Sequence, residues 1–199
     1  MQERAARTRR CLVCAAAGEF DRHGYAGSSL AKITKSAGIS MGALTFHFAS
    51  KDELAAAVRA EGHAATLAVV GQVAARHEGP VQSVVSLTLA LAELLEREAA
   101  VRAAARLTRE QPGGGADWTS AWAPVVRDRL LHPRPGGQEH SDDWTTVAAL
   151  ASHLVVGVEA DVRQRAGRQD QLDGRSVAEL TRIWDLVLRG VAAAPGTDD

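Results

Sequence analysis

Apolar residues in this chain return every three or four positions almost from end to end, and that period is incompatible with a sheet. Val13, Ala16, Ala17 and Phe20 follow it. So do Val147, Ala151, Leu154, Val158 and Val162, and then Val177, Leu180, Trp184, Val187 and Val191. A helix gathers such positions on one stripe, whereas a half-buried strand alternates them at a period of two. Alternating β-branched runs are nearly absent. The prediction is an all-α chain of about nine helices.

Start and stop residues place the boundaries. His23-Gly24 ends the first helix. Ser28-Ser29 caps a short second helix with Leu30, Ile33 and Ala37 on one face, and Gly38 closes it. Ser40 caps a third, from Met41 to about Phe48. Ser50 caps a long fourth, Lys51 to His77, whose first turn carries Asp52 and Glu53, the charge a helix N-terminus favours. Gly79-Pro80 breaks it. Later helices are expected over about Val81–Ala99, Val101–Arg109, Trp118–Leu131, Asp143–Arg165 and Ser176–Ala193. Pro112 to Gly115 and His132 to Asp142 read as loops, and Pro195 to Asp199 as a frayed end.

The formal net charge of −1 conceals a split. Residues 1–60 hold nine basic and five acidic side chains, a balance of +4; the remainder holds fourteen and nineteen, a balance of −5. All three lysines, Lys32, Lys35 and Lys51, lie in the first block. A basic head on an acidic body is expected when only the head meets a polyanion. At 199 residues the chain has room for two domains. They are expected at 1–52 and 53–199.

Several classes drop out. No apolar run reaches the roughly 20 residues of a membrane span, and the basic start is not followed by the apolar stretch of a signal peptide, so no membrane partner is expected and the cytoplasm is the default location. Cys11 and Cys14 lie inside an amphipathic helix with no second Cys/His pair at useful spacing, and read as buried small residues rather than a metal or redox pair. G-x-S-x-G, P-loop and H-E-x-x-H patterns are missing. The expectation is a protein that is not an enzyme, with no metal and no cofactor.

Two short helices joined by Ala37-Gly38-Ile39-Ser40 read as a helix-turn-helix. Glycine supplies the positive φ of the turn, and Ile39 seats it on a core of Phe20, Leu30, Ile33, Leu44 and Phe48. Helix Met41–Phe48 would be the recognition helix, its first residues aimed at base edges. Gly42 permits close backbone approach, and Thr45 and His47 face outward. Met41 is either a plain surface residue or an apolar contact to a thymine methyl. Ser28, Ser29, Lys32, Lys35, Ser40 and Lys51 place hydroxyls, charge and a helix N-terminus near flanking phosphates. Arg4, Arg7, Arg9 and Arg10 are either a solvated arm or further phosphate contacts.

The stretch from Phe20 to Leu54 resembles the DNA-binding domain of the TetR family of bacterial regulators. The resemblance rests on Phe20 with Gly24-Tyr25, Leu30 to Ile33, Ala37 to Ser40, Gly42, Leu44, His47-Phe48 and Lys51 to Leu54. The family usually has tyrosine where Thr45 stands, and often a cation or small polar residue at Met41. Ala43 to Phe48, the Val101-to-Thr108 region, the helix around Trp122 and Val155 to Val158 are similar to actinomycete receptors for γ-butyrolactone signals. The resemblance implies an all-α homodimer that represses promoters at a double-stranded DNA operator and lets go when a small inducer enters the C-terminal domain.

In that subgroup a tryptophan of the seventh helix covers the ligand, and Trp122 is the better match. Trp118 shares its face at i, i+4. Leu87, Leu91, Leu107, Val126 and Val156 would give apolar lining, and Thr108, Gln111 or His153 a hydrogen bond. The last two helices carry extra apolar width, at Leu150, Leu154 and Val158 and at Leu180, Ile183, Trp184, Val187 and Leu188, which suggests a dimer seam beside the core face. The alternatives are a repressor that senses an antibiotic or biosynthetic intermediate, and a helical small-molecule binding protein without DNA function.

Overall fold

The computed structural model describes residues 2–131, 142–167 and 173–193. Among these are nine α-helices and one 3₁₀ turn: α1 Gln2–Gly27, α2 Leu30–Ala37, α3 Met41–His47, α4 Lys51–Ala74, α5 Pro80–Arg97, α6 Ala99–Glu110, the turn Thr119–Ala121, α7 Ala123–Leu131, α8 Asp142–Gly167 and α9 Arg175–Ala193. The expected loop over 132–141, the frayed end 195–199 and the side chain of Val191 lie outside the described residues.

The expected stop at Gly24 is a kink inside one helix. Gly24 takes φ 69°, ψ −179°, a conformation that L side chains rarely adopt, and the chain winds on to Gly27. A Cβ at this glycine would collide with the carboxylate of Glu110 and the guanidinium of Arg106. Ser29, Ser40 and Ser50 cap α2, α3 and α4, each accepting from the backbone N–H three residues on. Glu53 reaches back to the Ala49 N–H at 2.7 Å, completing a capping box around the start of α4. Helix α4 ends at Ala74 rather than His77, because His77 takes a left-handed backbone with φ 51°.

The seventh helix is corrected. The run from Trp118 breaks into the 3₁₀ turn Thr119–Ala121 and then α7, with Trp122 between them at φ −129°. Pro124 explains the break: it has no N–H for the carbonyl four residues back and its ring crowds that carbonyl, so it is tolerated only in a first helical turn. The two tryptophans still meet, with ring centroids 5.6 Å apart.

Two apolar cores result. The head core joins Leu12, Val13, Ala16, Ala17 and Phe20 of α1 to Ile33, Leu44, Phe48, Leu54 and Val58. The body core gathers Leu87, Leu91, Leu95, Val101, Trp118, Trp122, Val126, Ala151, Val155 and Trp184. Helix α6 serves both: Ala103 and Leu107 face the head core, and Val101, Ala104 and Ala105 the body core. It crosses α4 at Gly62, where an added Cβ would lie 2.5 Å from the Ala100 carbonyl oxygen.

Two composition-level expectations change. Cys11 and Cys14 are exposed free thiols, not buried small residues. The buried stripe of α1 runs through Leu12, Val13, Ala16 and Ala17, and the cysteines fall on its other side. The segment Trp144–Ala166 of α8 is long and apolar enough, by length and composition alone, to cross a membrane, with mean hydropathy 1.3. Only 39% of it is buried, and it carries the fully buried Glu159.

Candidate nucleic-acid interface and effector core

The helix-turn-helix assembles as its turn chemistry requires. Gly38 takes φ 65°, ψ 29°, and the Ile39 N–H donates to the Thr34 carbonyl at 3.1 Å, which closes α2 and swings the chain into α3. Leu44 is the inward anchor of α3, and the Phe48 ring seals its end beneath the Arg9 guanidinium, 5.0 Å away. Arg10, Ser29, Lys32, Lys35, Ser40, Met41, Gly42 and Thr45 are exposed, and His47 is half-buried edge-on against Phe46. Ser29 and Ser40 spend their hydroxyl oxygens as helix caps.

Two expected phosphate contacts lie elsewhere. Ser28 is buried and donates to the carbonyls of Glu19 and Gly24, at 3.0 and 2.6 Å, which ties the chain after the kink back to the helix before it. Lys51 is turned inward. Its ammonium donates to the carbonyls of Tyr25 and, at 2.6 Å, Ser28, and lies 4.1 Å from the Tyr25 ring centroid. It pins the corner between α1 and α2. Phe46, by contrast, stands 81% exposed on α3.

Behind the helix-turn-helix, α6 grips α1 through ions. Arg102 Nε donates to Asp21 Oδ2 at 2.8 Å, and its Nη1 donates to the carbonyls of Leu95 and Glu96. Burial pushes the Asp21 carboxyl up despite Arg102 beside it. Arg106 donates to the Asp21 carbonyl and to Glu110. Glu110 in turn accepts the Tyr25 N–H at 2.7 Å, one freed by the kink at Gly24. Burial pushes the Glu110 carboxyl up, but the bonds from Arg106 and Tyr25 outweigh it and hold it below its ordinary value. From α4, the buried Arg59 donates to the carbonyls of Leu107 and Gln111 at 2.6 and 3.0 Å, a cation at the C-terminus of α6; desolvation lowers its pKa. None of these long-range pairs carries a sequence signal, since each arginine reads alone as a solvated side chain.

The expected effector residues divide. Trp118, Trp122, Leu87, Leu91 and Val126 come together in the body core. Leu107 packs in the head core instead, because its face of α6 is turned toward α1. Val156 is 47% exposed and His153 is exposed, both on the outer side of α8. Thr108 is half-buried and accepts the Trp118 N–H at 3.1 Å.

Three indoles are buried here, and they differ in one respect. Trp118 Nε1 donates to Thr66 Oγ1 at 3.0 Å, and Trp184 Nε1 to Thr88 Oγ1 at 2.8 Å. Trp122 Nε1 is buried with no hydrogen-bond partner among the described residues. Leaving such a donor unanswered costs on the order of 1–3 kcal/mol. The threonines were missed from sequence, because a threonine inside an apolar stripe has no marker of its partner.

The expected seam residues divide too. Leu180 and Trp184 are buried inside the chain, Trp184 in the body core and Leu180 one turn before it against α8. Leu150, Leu154, Val158, Ile183, Val187 and Leu188 are half-buried, and Val156 and Leu186 stand 47% and 65% exposed. A groove of about 400 Å³ runs between α8 and α9, with Leu154, Val158, Leu180 and Ile183 in its walls beside Asp161 and Arg175.

The profile of bacterial regulatory proteins of the tetR family matches residues 12–58. The chain is 32% identical over 202 residues to the A-factor receptor protein of Streptomyces griseus, covering 96% of this chain and 66% of that protein's length. A crystal structure of a gamma-butyrolactone receptor (ArpA-like protein) is 28% identical, with TM-score 0.70 over 94% of this chain and 89% of that one. CprB, a TetR family protein of Streptomyces coelicolor A3(2), is 30% identical with TM-score 0.73 over the same shares. A structure of CprB in complex with its biological operator sequence is 26% identical, again with TM-score 0.73 over 94% and 89%.

Proposed function

The chain belongs to the TetR family of bacterial regulatory proteins and is related to the γ-butyrolactone receptors, and on that premise we propose that it is a cytoplasmic transcriptional repressor released from a palindromic operator by a small apolar ligand. Residues 1–52 are the DNA-binding head and 53–199 the ligand-binding and dimerisation body. The single observation that carries the ligand half is the orphaned Trp122 indole N–H inside the body core. A ligand with an apolar body and one carbonyl acceptor, as in a lactone, would enter the core against Trp122 and accept that proton.

The route from ligand to DNA follows bonds already described. Trp122 leans on Trp118, which is tied to α4 through Thr66 and to α6 through Thr108. Helix α6 holds Asp21 and Tyr25 of α1, and α4 begins directly after α3. A ligand that wedges Trp122 moves both helices against the head. It releases DNA only if it binds the DNA-incompetent arrangement more tightly, and a coupling of about 1–3 kcal/mol is typical. The dimer that a palindrome needs would use the apolar side of α8 and α9, where Val156 and Leu186 are exposed and Leu154, Val158, Ile183 and Val187 half-buried. Two heads on one such seam would lie roughly 34–36 Å apart, or at a multiple of that spacing.

A mobility-shift assay on the upstream region of the protein's own gene tests the repressor. The expected result is a salt-sensitive, sequence-specific shift reversed by a γ-butyrolactone. No specific shift at micromolar protein would leave a helical small-molecule binding protein. A shift reversed by an antibiotic or biosynthetic intermediate but by no lactone would reassign the ligand class. Fluorescence titration of wild type and Trp122→Phe with the releasing compound tests the pocket. Equal affinity in both would remove the indole N–H from the site.

A further inference from the structure

The outward side of α3 has an unusual composition for a helix that faces bases. Successive residues turn by about 100°, so Met41, Thr45, Gly42 and Phe46 share one arc, and Ala43, His47 and Leu44 the opposite one. Met41 is 42% exposed, Phe46 is 81% exposed, and Gly42 has nothing within 4 Å of an added Cβ. The Thr45 hydroxyl donates to the Gly42 carbonyl at 3.0 Å, so its proton is already committed. The arc therefore offers no guanidinium, ammonium or carboxamide.

Base edges in the major groove are told apart by chemistry. Guanine is read by Arg or Lys, adenine by Asn or Gln, and the C5-methyl group of thymine by apolar contact. The third kind of contact dominates this arc, beside one Thr45 hydroxyl oxygen that can still accept a hydrogen bond. The exposed cations nearby, Lys32 and Lys35 on α2 and Arg10 on α1, lie on other elements, where phosphates are the expected partners. Single exposed apolar side chains are ordinary on any protein surface. Two of them on a seven-residue helix whose remaining outward positions are a glycine and an internally bonded threonine make an apolar reading surface.

We infer that α3 selects its operator through thymine methyl groups, with Phe46 and Met41 as the contacting side chains and the Thr45 methyl between them. The inference rests on the DNA-binding reading and adds the chemistry of recognition to it. Gly42 lets the helix approach closely enough for those short contacts. Thymine at fixed places in each half-site is then required, and G·C pairs beneath α3 are tolerated without being selected.

The full-length protein is used to select duplexes from a randomised pool, and the strongest is resynthesised with uracil in place of thymine. That exchange removes the methyl and leaves base pairing intact. Wild type is expected to lose about fourfold in affinity per contacted methyl, the transfer value of one such group. Phe46→Ala and Met41→Ala are expected to bind the thymine duplex more weakly and to discriminate less between the two duplexes. Phe46→Leu, which stays apolar, should keep most of the discrimination; both Phe46 substitutions are tolerated because the ring is exposed and outside the core. If the uracil duplex binds wild type as tightly as the thymine duplex, or if Phe46→Ala keeps the wild-type ratio, thymine readout is overturned while DNA binding stands. If no duplex is enriched, both fall together.

Discussion

The two cores of this chain use their aromatic residues in opposite ways. In the head, Phe20 and Phe48 are buried in the apolar core, and Phe46, on the helix proposed to face DNA, is left in water. In the body, three tryptophans are drawn inside; two have their indole N–H answered by threonine and the third does not. Function in the head is therefore a surface pattern: what matters is which side chains stand outside. In the body, the proposed function rests on an unfilled requirement, visible only when donors and acceptors are counted. Helix α6 ties the two, packing Leu107 into one core and Val101 into the other.

The strongest way to break that tie is Arg102→Ala. Arg102 and Asp21 form a buried pair, with side-chain exposures of 10% and 5%, and Arg102 also holds two carbonyls at the end of α5. Asp21 Oδ1 already lacks a partner. Removing the guanidinium strands a buried carboxylate, a change that costs about 3–5 kcal/mol. Urea unfolding should show that loss. A loss below about 1 kcal/mol, the range of a surface pair, would mean that the Arg102–Asp21 pair adds little to the hold on the head.

The head was legible because its signals are local. Ser29, Gly38, Ser40 and Ser50 act within three or four residues of themselves, and each caps or turns as its type predicts. The apolar period selected Val13, Ala16, Phe20, Ile33 and Leu44 for the same reason. What escaped depends on contacts far apart in the chain. Ser28 and Lys51 look like solvent-facing polar groups until the kinked corner after Gly24 brings backbone carbonyls within their reach. Leu107 and Trp184 carry the right chemistry for a pocket and a seam, yet the rotation of α6 and α9 turns them to other neighbours. The break at Trp122 was readable from Pro124, whose ring cannot sit deep in a helix.

The difference among the indoles can be sharpened by stability alone. Trp118→Phe and Trp122→Phe remove the same atoms from the same core. The first also deletes a bond to Thr66; the second deletes a donor without a partner among the described residues. Trp118→Phe should therefore be about 2–4 kcal/mol the costlier, the lost bond and the relieved donor together, read from urea midpoints without ligand. With a saturating ligand bound through Trp122 the order should reverse, because only Trp122→Phe gives up ligand stabilisation. Equal costs without ligand would mean that the Trp122 N–H is answered in the free protein, by ordered water for example.

The smallest effect concerns pH and the seam between the regions. Glu110 sits on α6, and its carboxylate accepts from Arg106 and from the Tyr25 N–H of α1, which together hold its pKa below the ordinary value. A carboxyl with a depressed folded pKa adds stability above its unfolded pKa and loses it as pH falls through the folded one. Asp21 has the opposite sign. Burial raises its pKa, so ionising it costs the fold something, and that cost disappears on protonation as pH falls. The two partly cancel in acid, and only a variant separates them. Glu110→Gln removes the Glu110 part: its melting temperature should lie below wild type at neutral pH and converge with it as pH falls below the ordinary carboxylate range and through the depressed pKa of the folded protein. Amide exchange at Tyr25 gives the local readout, since losing the charged acceptor should quicken it at neutral pH but not in acid. An offset that stays constant across the acid range would show that the Glu110 contact joins head and body by shape, with charge contributing nothing.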